Sequence, residues 1–319
     1  HSLNGINALI NQNKNNNIEI VLSEFSKGLN FLFLIKNVKV SYLNYKLGIY
    51  EKIKLLFKIL LNRFSKVYIL SPKNIYFFLP LLSKSKFYAI TIKNGKKSRP
   101  YNFLKSKLFK FIVNDKEKKK INENISTLVN NLCNEYNYHY PNILNIEPDI
   151  SMLLKNNISL LSKFIHIHYK ETFFSKCGWS IKTFAKLIKS LNLLGYKIII
   201  TSDIGNNDYN KFFLSEFSYI DFTNIKSNIN SSSTIHYFHN ISSKDLFKLV
   251  QLSNLVIAPH GTMTVMASYL NKKVIDLFVP DVTLNAFREW KPNNPKYSFL
   301  ILKNDFDKVF FKIKKFLNY

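Results

Sequence analysis

The chain has 319 residues, 46% apolar and 15% aromatic, which excludes a disordered or fibrous protein and is enough for two ordinary domain cores. Its 46 Lys and Arg against 20 Asp and Glu leave a formal charge of +26, and charge of that size points to an anionic partner. Only Arg63, Arg99 and Arg288 are arginines; the abundance of Lys, Asn, Ile, Phe and Tyr is what an AT-rich genome imposes, so part of the excess reflects coding bias. A dedicated nucleic-acid reader more often uses arginine forks for phosphate and base contacts.

The first half alternates helical stretches with short apolar strands. Helices are expected over Ser2–Gln12, Phe25–Ile35, Ile49–Phe64 and Asn74–Leu82, and strands over Ile18–Leu22, Val38–Tyr42, Val67–Leu70 and Phe87–Ile92. That order predicts an open parallel sheet covered on both faces. Two stretches mix apolar and basic residues. In Gly48–Phe64, Ile53, Leu56, Phe57, Leu60 and Leu61 recur at helical spacing among lysines, and the stretch reads as a helix packing its apolar face on a sheet. Tyr101–Val113 reads equally as such an element or as a segment resting on anionic lipid. A helix over Lys116–Cys133 and an irregular connection over Tyr136–Asp149, with Pro141 and Pro148, put the domain boundary at 150: an N-terminal domain over 1–150 and a C-terminal one over 151–319.

The second half alternates again. Strands are expected over Phe164–His168, Lys197–Ser202, Tyr219–Phe222, Thr234–His236, Leu255–Ala258, Val274–Val279 and Phe299–Leu302. Helices are expected over Ser180–Leu193, Asn207–Glu216, Ser243–Leu252, Thr262–Leu270 and Asp305–Leu317. The stretch 254–279 carries the strongest signal: a buried strand, a tight turn at Pro259-His260-Gly261, a helix, and a second buried strand. Gly261 lets the backbone approach a ligand, and the amides of Thr262, Met263 and Thr264 open a helix, where free N–H groups and the helix dipole favour an anion. His260 and the hydroxyls of Thr262 and Thr264 surround that point. The expected occupant is the phosphate or pyrophosphate of a nucleotide; the competing reading is a structural crossover with a glycine turn.

Other candidates lie where strands end, which is where open parallel sheets bind ligands. Thr172 and Lys176, four residues apart in what reads as a loop, suit two phosphate oxygens. His166 and His168 share one strand face and read equally as core or as support for the site. Ser202 and Asp203 end the next strand, and His239 stands where a base or ribose would be reached. Arg288 reads equally as a ligand contact or a local ion pair. Asp305-Phe-Asp307 has the spacing of a metal-binding pair but opens a helix, where acids cap, and no cluster has metal-ligand spacing, so no metal is expected. Cys133 and Cys177 make no disulfide framework and fit a reducing compartment. Lys and Asn break the apolar runs short of a membrane span, and no signal-peptide pattern is visible, so a cytoplasmic protein is expected, peripheral on the inner face of the membrane if it meets lipid.

On these residues the chain resembles a GT-B glycosyltransferase, and most closely the lipopolysaccharide heptosyltransferase family. Phe164–His168 followed by Lys176-Cys-Gly-Trp-Ser180 resembles that family's strand, phosphate-binding loop and Lys-x-Trp-Pro helix start, with one extra residue. Leu255–Leu270 resembles its strand, Asp-Thr-Gly turn and helix, with Pro259-His260-Gly261 in place of Asp-Thr-Gly. Ser2–Ala8 resembles its first loop, but Ile6 stands where the family's catalytic Asp would be; His1 is the nearby residue able to take a proton near neutral pH. The resemblance implies two Rossmann-like α/β domains facing across a cleft. It implies a nucleotide-sugar donor held by Thr172, Lys176 and the Gly261–Thr264 turn, and no metal cofactor. Lys176 would then stabilise the leaving diphosphate, and the acceptor would be a saccharide or glycolipid of cell-surface polysaccharide synthesis. A lysine-rich nucleic-acid-binding α/β protein and an inactive GT-B scaffold remain the alternatives.

Overall fold

In the computed structural model the described residues are 3–33, 36–44, 48–62, 64–70, 83–90, 111–113, 125, 128, 163–203, 207–223, 226–228, 233–281, 291, 292 and 294–317. The chain divides into two compact units, His1–Asn142 with Leu284–Lys291 and Ile143–Thr283 with Pro292–Tyr319.

The first unit contains α1 (Leu3–Gln12), β1 (Ile18–Ser23), a 3-10 helix (Glu24–Phe33), β2 (Val38–Leu43), α2 (Ile49–Leu61), β3 (Lys66–Ile69), β4 (Lys86–Ile90) and β5 (Phe111–Val113). β1 pairs with β2, and β3, β4 and β5 form a second set; every pairing is parallel. Its core joins Leu43, Leu55, Ile59, Ile69, Phe87 and Ala89. Two expectations change here. α2 buries Leu55 and Ile59, one turn apart, and leaves Ile53, Phe57, Leu60 and Leu61 exposed, so the apolar stripe read as its packing face lies outward. The described end of the Tyr101–Val113 stretch is a strand, with Tyr88 opposite Phe111, because Phe-Ile-Val satisfies the open edge of β4 better than a helix would. Residues 74–82 lie outside the described set; of the helix expected over Lys116–Cys133, Ile125 and Leu128 are described, and both are helical and buried.

The second unit is one eight-stranded sheet. Its strands are β6 (Phe164–Tyr169), β7 (Lys197–Ser202), β8 (Ser218–Asp221), β9 (Lys226–Asn228), β10 (Ile235–His239), β11 (Leu255–Pro259), β12 (Lys273–Phe278) and β13 (Tyr297–Ile301). Their order is β13-β12-β11-β6-β7-β10-β8-β9, with all neighbours parallel except β9, which runs antiparallel to β8. The helices are α3 (Glu171–Lys176), α4 (Ile181–Leu193), α5 (Asp208–Glu216), α6 (Ser243–Leu252), α7 (Thr262–Tyr269) and α8 (Phe306–Leu317). β6 and β11 are buried at every position, as strands covered by helices on both faces must be.

The caps follow from the sequence. The amides of Thr183, Asp245 and Lys308 donate to Ser180 Oγ, Ser242 Oγ and Asp305 Oδ1 at 3.1 Å each, fixing where α4, α6 and α8 begin. The Asp305 carboxylate is thus a helix cap, and its hydrogen bonds from Lys308 hold its pKa below the usual range. Trp179 is buried with Nε1 donating to Lys303 O at 2.8 Å, which pins the start of α4 to the segment before α8.

Candidate functional site

The sheet reverses its winding between β6 and β11. The chain leaves β6 toward β7 on one side, and β11, β12 and β13 extend the sheet on the other. Ligands of open parallel sheets bind beyond the carboxyl ends of the strands at such a reversal. The register sets Leu255 opposite Ile165 and Ile257 opposite Ile167, so β6 and β11 end side by side, roughly 4.8 Å apart. The Pro259-His260-Gly261 turn and the start of α3 are therefore neighbours.

At the turn, Gly261 has φ 158° and ψ −150°, and a Cβ placed there would meet nothing nearer than Pro259 O at 4.0 Å. The space over the backbone is open to an approaching group. Thr264 is fully buried and its hydroxyl turns back on the turn itself: Gly261 N donates to Oγ1 at 3.3 Å, and Oγ1 lies 3.1 Å from Gly261 O. This is the cap of α7, and it spends the hydroxyl that the sequence offered to a ligand. Met263 is buried in the core, so its contribution to an anion is limited to its amide. Thr262 is exposed at the helix start.

His260 is the partly exposed imidazole of this turn. Its backbone N–H donates to Leu277 O at 2.9 Å, its ring stacks on Phe278 at 4.5 Å, and its Nδ1 lies 2.7 Å from Asp276 Oδ2. Asp276 is completely buried in the middle of β12 and also accepts a hydrogen bond of 2.7 Å from Tyr297 OH on β13. Burial pushes the Asp276 carboxyl above the usual carboxylate range, against the pull of hydrogen bonds from His260, Tyr297 and Thr264. Burial and the Asp276 charge together push the Tyr297 phenol upward, so it stays a donor. Sequence reasoning passed over Asp276 and Tyr297. The available signal was a lone Asp inside the apolar run Val274–Phe278, which needs a partner if it is buried.

Thr172 and Lys176 stand on α3, not in a loop, because a single turn and a half over Glu171–Lys176 follows β6 directly. Both are exposed, and their spacing of four puts them on one face of that helix. Neither side chain is needed by the core, which takes Phe174, Cys177 and Trp179.

Behind α3 the two strand histidines are consumed by structure. His166 Nε2 and His168 Nδ1 both meet the Thr201 hydroxyl, at 2.8 and 3.0 Å, and His168 Nε2 lies 3.5 Å from Asp203 Oδ1. One hydroxyl proton fixes the consistent assignment. His166 Nε2–H donates to Thr201, Thr201 O–H donates to His168 Nδ1, and His168 Nε2–H donates to Asp203. His166 Nδ1 is left as a buried acceptor without a partner. Burial, helped by the neighbouring His168, pushes His166 down to about 3. The His168 hydrogen bond holds the half-exposed Asp203 carboxyl below its usual range.

Two other expected residues are drawn away from the turn. Ser202 Oγ is engaged by Tyr237 OH at 2.8 Å and Asn210 Oδ1 at 3.0 Å. His239 is buried at the end of β10, two strands from β6 or roughly 10 Å, with Nδ1 near Asn240 and Asp221. Its position is at the edge of the crevice, not at the turn. His1 and Arg288 lie outside the described residues. The first unit has its own recess of about 1220 Å³ between β1, β2 and β3, but the acid on its wall, Glu19, is ion-paired with Lys58. Its wall also carries Lys39 and Lys66, but the turn adds helix-start amides at the sheet reversal, so the chemistry is sought at the turn. No group of three or more His, Cys, Asp or Glu among the described residues is arranged to hold a metal ion.

An open parallel sheet with its crossover turn at the reversal defines a Rossmann-like unit, and the protein as a whole has an α/β fold of the GT-B type. Solved structures carry that fold over nearly the whole chain. The E. coli ADP-heptose lipopolysaccharide heptosyltransferase II matches with a TM-score of 0.64 at 14% identity, over 99% of this chain and 94% of the other. A glycosyl transferase of family 9 from Veillonella parvula matches at 0.63 and 12%, over 98% and 86%. The UDP-GlcNAc 2-epimerase of Methanocaldococcus jannaschii shares the fold at 0.54 and 13%, over 99% and 90%. No protein-family model and no curated protein matches the sequence.

Proposed function

We propose that the second unit binds a nucleotide-activated sugar and that the protein transfers the sugar to a saccharide or glycolipid acceptor without a metal, in cell-surface polysaccharide or lipopolysaccharide synthesis. The observation that carries this reading is the meeting of two strand ends at the sheet reversal. One brings the open turn at Gly261 with His260, and the other brings Thr172 and Lys176 on a free helix face. The donor diphosphate would lie against the α7 amides, with Lys176 and Thr172 on its other side. Fixed amide dipoles and a cation would then stabilise the charge that develops on the leaving diphosphate. Solved proteins of the same fold include transferases and epimerases named for ADP-heptose and UDP-GlcNAc, which supports a nucleotide sugar as the ligand class.

The acceptor would belong to the first unit, where α2 gives the reading its support. Ile49, Tyr50, Ile53, Phe57, Leu60 and Leu61 are all at least 40% exposed on one side of α2, with Lys54 beside them. On a chain of charge +26 such a stripe suits the surface of an anionic membrane, where a glycolipid acceptor resides.

The test is a thermal-shift panel of UDP, GDP, ADP and CMP on the whole protein. A nucleotide at a hundred times its Kd stabilises the fold by about 2.7 kcal/mol. One member of the panel should do so, and Lys176→Ala should weaken it. If none stabilises the protein at millimolar concentration, the donor reading fails.

A further inference from the structure

His260, Asp276 and Tyr297 form an array with one free end. Three strands supply it: the turn after β11, the middle of β12 and the start of β13. Tyr297 OH donates to Asp276 Oδ2, and the same oxygen receives His260 Nδ1–H. The carboxylate fixes the tautomer, because an acceptor at 2.7 Å demands a proton on Nδ1. Nε2 is then the nitrogen left over. It has no protein partner among the described residues, and the ring is about a quarter exposed (26%). Phe278 covers one ring face and prevents the imidazole from turning away. His166, His168 and His239 differ in kind. The first two are consumed by Thr201 and Asp203, and the third is buried beside Asp221.

A buried carboxylate costs stability unless it is paired, and burial already raises the pKa of Asp276. A core that needed only packing would place an aliphatic residue here, as β12 does with Ile275 and Leu277 on either side. Among the described residues the titratable groups facing the ring are Asp276 from β12 and, through it, Tyr297 from β13. From the neighbouring strand end, α3 contributes Glu171 and Lys176, with Lys170 at its N-cap.

We propose that His260 is the ligand-contacting residue of the turn, with Asp276 its positioning residue: Nδ1 is held by the carboxylate, and Nε2 takes up a proton from solvent when a phosphate oxygen binds. The arriving anion cannot share a lone pair with Nε2, so binding favours the imidazolium, whose second N–H donates to the phosphate. The pair Asp276–His260 thereby supplies a fixed cation beside the diphosphate. This inference rests on the donor site proposed above, but it concerns only its phosphate end.

The experiment uses the full-length protein labelled with 15N-histidine and inorganic pyrophosphate as probe. His260 is assigned by its absence from the spectrum of His260→Gln. In the free protein Nδ1 should be protonated and Nε2 bare, and pyrophosphate should move Nε2 to the protonated position while His166 stays in place. In Asp276→Asn the tautomer preference should be lost and pyrophosphate affinity should fall about tenfold or more. A bare Nδ1 in the free protein, or an Nε2 that pyrophosphate leaves unmoved, overturns the inference. The wild-type spectra decide the matter even if Asp276→Asn does not fold. Nucleotide binding with Nε2 unmoved would sink this inference and leave the donor reading standing. Nε2 protonation by pyrophosphate, with no nucleotide bound, would do the opposite.

Discussion

Acidification should destabilise this protein through His166. The ring is completely buried, and burial with the neighbouring His168 holds it down to about 3 against an ordinary 6.5. The folded-state value is depressed, so the stabilising contribution is complete above 6.5 and is lost as pH falls from 6.5 toward 3. At pH 5 the unfolded chain holds this proton and the folded one does not, which costs about 2 kcal/mol, and near pH 3 the cost is about 4 kcal/mol. The perturbation is His166→Leu, which keeps the volume and removes the titrating group. The Thr201 hydroxyl still donates to His168 in that variant and loses the hydrogen bond it accepts from His166. Urea unfolding, followed by tryptophan fluorescence from pH 7.5 to 5, gives the loss of stability in each protein. The variant should lose about 2 kcal/mol less than the wild type over that range. His236, which burial also depresses, is present in both and cancels. Parallel curves would refute the argument, because they would mean that His166 is free to ionise in the folded state.

Thr264→Ala removes the hydroxyl that closes the turn on Gly261 and should cost about 1 kcal/mol by thermal denaturation, with Thr264→Ser restoring most of it. Asp305→Ala should lower the melting temperature through the lost cap of α8, while nucleotide affinity stays unchanged with and without a chelator; a chelator-dependent loss would mark the acid as a metal ligand. Phe57→Glu, on the exposed side of α2, should leave stability within about 0.5 kcal/mol and abolish sedimentation with vesicles containing phosphatidylserine. Retention of that variant on vesicles would remove α2 from the membrane contact.

Much of the second unit was legible because its strands are buried on both faces and therefore read as unbroken apolar runs. Lys197–Ser202 and Ser243–Leu252 fall where the pattern puts them, and Ser180, Ser242 and Asp305 mark helix starts by the oxygen each offers an amide. The elements that escaped notice are those without a period. α3 spans six residues, too few for an amphipathic repeat to register, and β9 spans three at the sheet edge. β10 runs on to His239 because Tyr237 and Phe238 are buried after the short run that marked it. α2 was misjudged for a different reason. Apolar residues lie on two sides of it, and periodicity alone does not say which side meets the sheet.

The array at the turn was hidden by a harder limit, since its members lie 16 and 21 residues apart in sequence. They converge because β11, β12 and β13 are parallel neighbours with Ala258 opposite Asp276 and Asp276 opposite Phe299. The pattern marked the last strand as starting at Phe299, which left Tyr297 in a loop, outside any register. What a single sequence offered instead was an imbalance: a turn resembling Asp-Thr-Gly but lacking its acid, and an acid within the next apolar strand where none is needed for packing. The two belong together on electrostatic grounds. A carboxylate at the mouth of the turn would face an incoming phosphate and repel it. Placed one strand away and behind an imidazole, the same charge holds the ring through Nδ1 without facing the anion. The turn that carries Pro259 in place of an acid with His260 beside it, and the presence of Asp276 in β12, are thus one arrangement, and a variant that alters His260 or Asp276 should disturb the other.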